Sequence, residues 1–124
     1  MAQAGVNCAG LQHRPESTRI VEVQCSLQGD RTFGGFIGGE ITELVDAHLS
    51  AANLPALLLT AAQTVVAGTL GLAYPTTRKA MLQAAARVQA HGGKLVIDVN
   101  WRPTFWPDSI AALDQMSPGW PKWM

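Results

Sequence analysis

A strand, a helix and a second strand in succession are the feature of this sequence that most constrains its fold. Residues 64–67 form a short apolar strand, and a second strand is predicted at 94–98. The helix between them is entered near Pro75, which suits a first helical turn, and it stops at Gly92, as helices do at a C-cap glycine. A unit of this length is typical of two parallel strands joined by a right-handed crossover. The pattern predicts an α/β fold.

The crossover helix has one apolar face, and the strand after it is apolar throughout. Met81, Ala84, Ala85 and Val88 recur at helical spacing, so they share a face. The Leu-Val-Ile run at 95–97 does not alternate with polar residues. A continuous apolar run favours a strand that is covered on both faces.

The first half of the chain predicts an antiparallel hairpin. Residues 19–27 alternate between a mostly polar face and an apolar face, a turn follows at 28–30, and residues 31–37 return as the second strand. Gly34 and Gly35 interrupt this second strand. Glycine inside a strand often marks a bulge or the close approach of a backbone or ligand.

The remaining segments carry weaker signals. Thr42 is predicted to cap a short helix, and Pro55 breaks the pattern after it. No regular pattern continues after Asp114. The chain is therefore divided into an entry segment with the hairpin (1–41), a partial α/β core (42–114) and an irregular tail (115–124).

Composition narrows the class of partner. The 124 residues are 48% hydrophobic, and nine basic residues balance nine acidic ones. A neutral chain has no electrostatic footprint for nucleic acid or for an anionic membrane, and no apolar run reaches the length of a membrane helix. Cys8 and Cys25 have no disulfide-framework spacing, which favours a reducing compartment. We expect a small molecule or another protein as the partner.

A polar cluster follows the second parallel strand. Asp98, Asn100 and Arg102 alternate, so an extended chain places all three on one side. Ligands of open α/β sheets bind outside the carboxyl ends of the strands, and this set offers a carboxylate, an amide and a guanidinium suited to phosphate. The alternative is a surface turn in which Arg102 forms a plain salt bridge with Asp108.

A second candidate lies on the hairpin. Phe33, Gly34, Gly35 and Phe36 could cover a flat ligand, because the two rings flank a flexible backbone. A glycine kink in an edge strand explains the same residues. The three histidines share no spacing with each other or with a cysteine pair, so no zinc site is predicted.

Two stretches resemble the ribokinase/phosphofructokinase-B family of carbohydrate kinases, in particular its fructokinase-like members. Residues 19–39 resemble the family's β-sheet lid, a hairpin with a Gly-Asp-Arg turn. Residues 65–108 resemble the strand, helix and strand that end in an Asp-x-Asn-x-Arg motif. The resemblance implies an incomplete ribokinase-like fold, with the hairpin as the lid and a βαβ portion of the parallel sheet.

The resemblance also implies a chemistry. Asn100 and Arg102 match positions near the nucleotide phosphates and the sugar, Asp98 matches the leading acid of the motif, and Phe33 and Phe36 lie on the lid strand that closes over the sugar. The reaction would transfer a phosphoryl group from ATP to a sugar hydroxyl with Mg²⁺. A homodimer through the lid is a further implied partner. The implied location is cytoplasmic, or the plastid stroma if the source is a plant or an alga.

Three family motifs do not occur in these 124 residues. They are the N-terminal Gly-Gly strand with its sugar-binding Asn, the Asn-x-x-Glu segment, and the Gly-Ala-Gly-Asp motif that supplies the anion hole and the catalytic base. We therefore expect a fragment of a kinase that is inactive alone, with its base outside this chain. The alternative is a non-catalytic module that pairs with another chain through the lid hairpin.

Overall fold

The computed structural model describes residues 1–99, together with Asp108 and Ile110. The hairpin strands are β1 (Ile20–Cys25) and β2 (Arg31–Ile37), and the α/β part contains α1 (Ala56–Ala61), β3 (Thr64–Gly68), α2 (Pro75–Ala90) and β4 (Lys94–Asp98). Short 3-10 turns lie at Ala2–Ala4, Val45–His48, Ala51–Asn53 and Thr69–Ala73. No helix in the described part of the chain has the length and apolar character needed to span a bilayer.

The predicted hairpin is confirmed, and the two glycines in its second strand produce a bulge. β1 and β2 are antiparallel, and the register shifts where Glu22 faces Gly35 and Val23 faces Phe33. Gly34 is thus the extra residue on β2, as in a β-bulge. The turn is closed by Ser26, whose hydroxyl accepts hydrogen bonds from two backbone amides of the turn at 3.1 and 3.2 Å.

The predicted strand, helix and strand are also confirmed. β3 and β4 pair in parallel, from Thr64 opposite Lys94 to Gly68 opposite Asp98. α2 begins at Pro75, and the chain leaves the helix through Gly92, which adopts a φ of 77°. Glycine tolerates this left-handed conformation at a helix C-terminus without a steric penalty.

The expectation that β4 is covered on both faces is wrong for the described residues. Burial alternates along β3 and β4, so that one face is half-buried and the other is exposed. Val66 and Val96 lie on the open face and remain 70% and 48% exposed. α2 packs on one side of the parallel pair, and none of the described segments covers the other. The apolar run at 95–97 therefore has one face packed under α2 and one face that no described segment covers.

The predicted helix capped by Thr42 is replaced by a 3-10 turn at Val45–His48, which has Leu44 at its N-cap position and no side-chain cap. Tertiary contacts explain the difference. Leu44 is 1% exposed, and the Val45 amide donates to the Ser17 carbonyl at 2.9 Å. Long-range contacts thus hold the segment in a tight turn and override its weak local helix signal.

A small core joins the hairpin to the α/β part. Its buried residues are Ala47, Leu72 and Tyr74, and the half-buried residues packed against them are Phe36, Ile41, Leu70, Ala73 and Met81. A second buried set lies on α2, where Ala80 and Val88 are 0% exposed. The predicted face of α2 therefore points inward, since Ala85 and Val88 are buried and Met81 and Ala84 are half-buried.

We expect the open face of the parallel pair to cause self-association. Replacing both Val66 and Val96 with Thr keeps side-chain shape and strand propensity but removes apolar surface, so the double variant should shift toward monomer in sedimentation velocity runs. Leu57→Thr is the control, because Leu57 is 84% exposed and belongs to α1 and not to either strand. A wild-type chain that sediments as a monomer with a sharp thermal transition contradicts the expectation.

Candidate functional site

The carboxyl ends of the two parallel strands form one edge, and an acidic residue stands on it. Asp98 is the last residue of β4 and lies opposite Gly68, the last residue of β3. Its side chain is exposed. Gly68 has no side chain that could cover this edge, and no atom of the described residues, apart from Gly68 and its chain neighbours, lies within 4 Å of the place where a Cβ would stand. Among the described residues, the edge is therefore open beside the Asp98 carboxylate.

The other two members of the predicted cluster, Asn100 and Arg102, lie outside the described residues. Their grouping with Asp98 remains a prediction from the alternation of the sequence. The alternative ion pair between Arg102 and Asp108 is untested for the same reason. In the described part of the chain, the Asp108 carboxylate accepts a hydrogen bond from the Ile110 amide at 2.8 Å.

The bulge determines which way the hairpin aromatics point. Residues that pair across an antiparallel ladder share a face, and Phe36 pairs with Val21 while Phe33 pairs with Val23. Val21 and Val23 share a face because they are two residues apart on one strand. Phe33 and Phe36, three residues apart, therefore share it too. Their ring centroids are 5.0 Å apart in an edge-to-face arrangement at 69°.

The two rings have different surroundings. Phe33 is 39% exposed, so part of its ring is accessible at the surface. Phe36 packs against the small core at the base of the hairpin. The guanidinium carbon of Arg19 lies 4.8 Å from the Phe36 ring centroid and 5.4 Å from that of Tyr74, both within cation–π range.

Arg19 is the centre of a polar cluster that sequence reasoning missed. Its side chain is 8% exposed and donates to both carboxylate oxygens of Asp46, from Nε at 2.7 Å and from a terminal nitrogen at 2.9 Å. That nitrogen also donates to the Tyr74 hydroxyl at 2.8 Å and to the Ile41 carbonyl at 3.2 Å. Arg19, Asp46 and Tyr74 are named here the Arg19 cluster.

The electrostatics of the cluster favour a permanent charge on Arg19. Burial lowers the pKa of the guanidinium, but the hydrogen bond and the charge of Asp46 raise it, and the net shift is upward. Burial raises the pKa of the Tyr74 hydroxyl, and the charge of Arg19 opposes this only in part. Tyr74 thus stays neutral and accepts a hydrogen bond from Arg19, which suits a structural contact better than proton transfer.

A second arginine–carboxylate pair lies outside this cluster. Arg14 binds Glu16 through Nε at 3.0 Å and through a terminal nitrogen. The hydrogen bonds from Arg14 lower the pKa of the Glu16 carboxyl to about 2. Both residues belong to the segment before the hairpin, two positions apart, so this pair connects no separate elements.

An apolar cavity of about 190 Å³ lies where α2 crosses the parallel pair. Its walls come from both strands and from α2, with Val65, Leu82 and Leu95 among them. The described residues that line it include no hydroxyl, amide or charged side chain. These residues therefore offer no polar partner that a sugar or a phosphate would need.

Comparison with known proteins identifies the fold. No family model matches the sequence, and no curated protein is significantly similar to it. Three solved structures are similar. Fructokinase from Xylella fastidiosa has 19% sequence identity and a TM-score of 0.69 over 85% of this chain, and a structure of fructokinase from the same organism with bound ATP has 22% identity and a TM-score of 0.72 over 95%. An uncharacterized sugar kinase from Pyrococcus horikoshii has 18% identity and a TM-score of 0.74 over 95%. The chain has a partial ribokinase-like fold. It covers 31–37% of those three chains, about a third of their length.

The two glycines of β2 should respond differently to substitution. Gly35 has a φ of 130°, which side-chain-bearing residues rarely adopt, so Gly35→Ala should destabilise the hairpin by about 1–3 kcal/mol. A Cβ at Gly34 would lie 3.0 Å from Cγ of Glu22. Because Glu22 is exposed, its flexible side chain can move aside, and Gly34→Ala should cost less.

Hydrogen exchange of the β1 and β2 amides measures both effects, with Gly29→Ala as a reference for a left-handed glycine in the turn, where φ is 89°. Equal exchange rates in the Gly34 and Gly35 variants would contradict the assignment of strain to Gly35.

Proposed function

We propose that this chain is a part of an ATP-dependent carbohydrate kinase, which transfers a phosphoryl group from ATP to a sugar hydroxyl. The observation that carries the proposal is the likeness over 85–95% of the chain to fructokinase and sugar kinase structures, one of them with bound ATP. Two features of the described residues support the proposal, the strand edge that ends in Asp98 and the hairpin of β1 and β2.

The carboxyl edge of the parallel pair is the proposed binding site for substrate and nucleotide. Asp98 would accept hydrogen bonds from sugar hydroxyls, since its carboxylate is exposed at the end of β4. Asn100 and Arg102 are proposed to complete the site, with the planar guanidinium of Arg102 binding a phosphate through two parallel hydrogen bonds. This assignment of the two residues rests on their spacing and on the resemblance of the motif.

The hairpin is the proposed substrate lid, with Phe33, Gly34, Gly35 and Phe36 as its lid residues. A lid excludes water from the reacting groups and so strengthens the electrostatic interactions beneath it. The bulge at Gly34 supports this role because it places Phe33 and Phe36 on one face. Phe33 supplies the exposed part of that face, and Phe36 anchors it.

Phosphoryl transfer depends mainly on positioning and on electrostatic stabilisation of charge. In the proposed kinase, Mg²⁺ would neutralise charge on the ATP phosphates. Residues 1–99, Asp108 and Ile110 contain no group of three or more His, Cys, Asp or Glu that could hold a metal ion. The proposed contribution of the described residues is to bind and cover the sugar.

A second function is favoured by the surface of the hairpin. Five of its large apolar residues are 39–53% exposed: Ile20, Val21, Val23, Phe33 and Ile37. Exposed apolar residues on two strands with open edges suit addition of another strand or a second copy of the chain. The alternative proposal is a non-catalytic module that pairs through the hairpin, with a homodimer as its simplest form.

We expect the purified 124-residue chain not to phosphorylate fructose, ribose or 2-keto-3-deoxygluconate. It contains no Gly-Ala-Gly-Asp segment, and the loss of a general base alone costs a factor of about 10²–10⁴ in rate. A coupled assay of ADP release, with and without sugar, measures this. Sugar-dependent ADP release well above the no-protein blank would show that the expectation is wrong.

The DNA on both sides of this reading frame tests the proposed function. A frame that continues into a Gly-Ala-Gly-Asp segment, and whose longer product releases ADP in the presence of a sugar, supports the kinase. In that product, Asp98→Asn should raise the KM for the sugar, while Asp108→Asn serves as the control. A stop codon with expressed 124-residue protein that dimerises, and loses dimers on Phe33→Ser, favours the interaction module.

A further inference from the structure

The base of the hairpin is fixed by a single side chain that contacts three separate segments. Arg19 immediately precedes β1 and donates to Asp46 in the turn at Val45–His48, to the Ile41 carbonyl after β2, and to Tyr74 before α2. One residue thus connects both ends of the hairpin with the crossover helix.

The geometry of these contacts restricts movement. The guanidinium is planar, and its paired hydrogen bonds to the two oxygens of Asp46 fix its plane. Phe36 and Tyr74 both lie within cation–π range of the same group. The Arg19 side chain is only 8% exposed, and burial of its charge is favourable only while its partners remain in place. Movement of the hairpin base away from α2 would therefore leave a charge without its partners.

The rest of the hairpin has little to hold it. All six residues of β1 are exposed, and so are the first four residues of β2. Burial begins only at Gly35 and Phe36, close to the base. A hairpin of two strands is at best marginally stable on its own in water. Its strand pairing therefore depends on the anchored end.

We propose that Arg19 is a positioning residue, which locks the base of the hairpin to the α/β part while the turn end at 26–30 stays free to move. A role of the hairpin as a substrate lid rests on the proposed function, whereas the anchoring by Arg19 is argued from contacts of the described residues alone. In this proposal, Arg19 acts through its contacts with Phe36 and Asp46.

Amide hydrogen exchange of the 124-residue chain tests the lock. In Arg19→Ala, exchange in β1 and β2 should accelerate about tenfold or more, because hydrogen bonds between charged groups are lost at the anchored end. Exchange in α2, β3 and β4 should change far less. Arg14→Ala is the matched control, since it removes the other arginine–carboxylate pair, which joins residues only two positions apart. It should leave exchange in the hairpin unchanged.

Tyr74→Phe provides a second variant that keeps the ring and the fold. It removes only the hydroxyl that accepts from Arg19 at 2.8 Å, so hairpin exchange should accelerate by a smaller factor, about two- to tenfold. Equal acceleration in the hairpin and in β3 and β4 would show that Arg19 supports stability as a whole, and would overturn the proposal. Unchanged hairpin exchange in both variants would overturn it as well.

These outcomes do not depend on catalysis. If the longer gene product has no kinase activity but the hairpin alone loses protection in Arg19→Ala, the proposed function fails and the lock stands. If the longer product is a kinase and the exchange of the hairpin amides does not respond to Arg19→Ala, the proposed function stands and the proposed lock fails.

Discussion

The parallel pairing of β3 with β4 is the constraint on which the rest of this structure depends. Two parallel strands cannot be joined by a tight turn, so the chain between them must cross back over the sheet, and α2 makes this crossing. The return is tight: a Cβ at Gly93 would lie 2.5 Å from the Ala62 carbonyl oxygen and 2.6 Å from Val88. The same pairing brings Gly68 and Asp98 to one edge, where the proposed site lies.

The crossover helix also carries the connection to the hairpin. Thr77 on α2 donates to the Asp46 carbonyl at 2.7 Å and accepts from the Leu49 amide at 3.0 Å, which holds the turn at Val45–His48 against the helix. The side chain of Asp46 then binds Arg19, and Arg19 lies against Phe36. Sheet, helix, turn and hairpin thus form one series of contacts, in which each member orients the next.

Features that depend on neighbouring residues could be predicted from the sequence, and features that depend on distant residues could not. Alternation predicted β1, and Pro75 and Gly92 predicted the ends of α2, because these signals act within a few residues. Arg19 and Asp46 are 27 positions apart, and no spacing rule connects them. For the candidate site, the sequence predicted that Asp98 ends β4, and the structure has it there. The exposed face of β4 was not predicted, because the coverage of a strand depends on distant layers that a local pattern does not encode.

The bulge in the hairpin has a consequence for how this chain can vary in length. In a regular strand, residues with even numbers point to one face and residues with odd numbers to the other. The extra residue at Gly34 reverses this rule for the residues of β2 that precede it. Removal of one glycine would remove the bulge and leave Phe33 and Phe36 two residues apart, so strict alternation would keep both rings on one face. A one-residue deletion here would therefore keep the two rings together, whereas closing the bulge without a deletion would place them on opposite faces. The shared face of the two rings is thus compatible with two ladders, a bulged one with two residues between the rings and a regular one with a single residue between them.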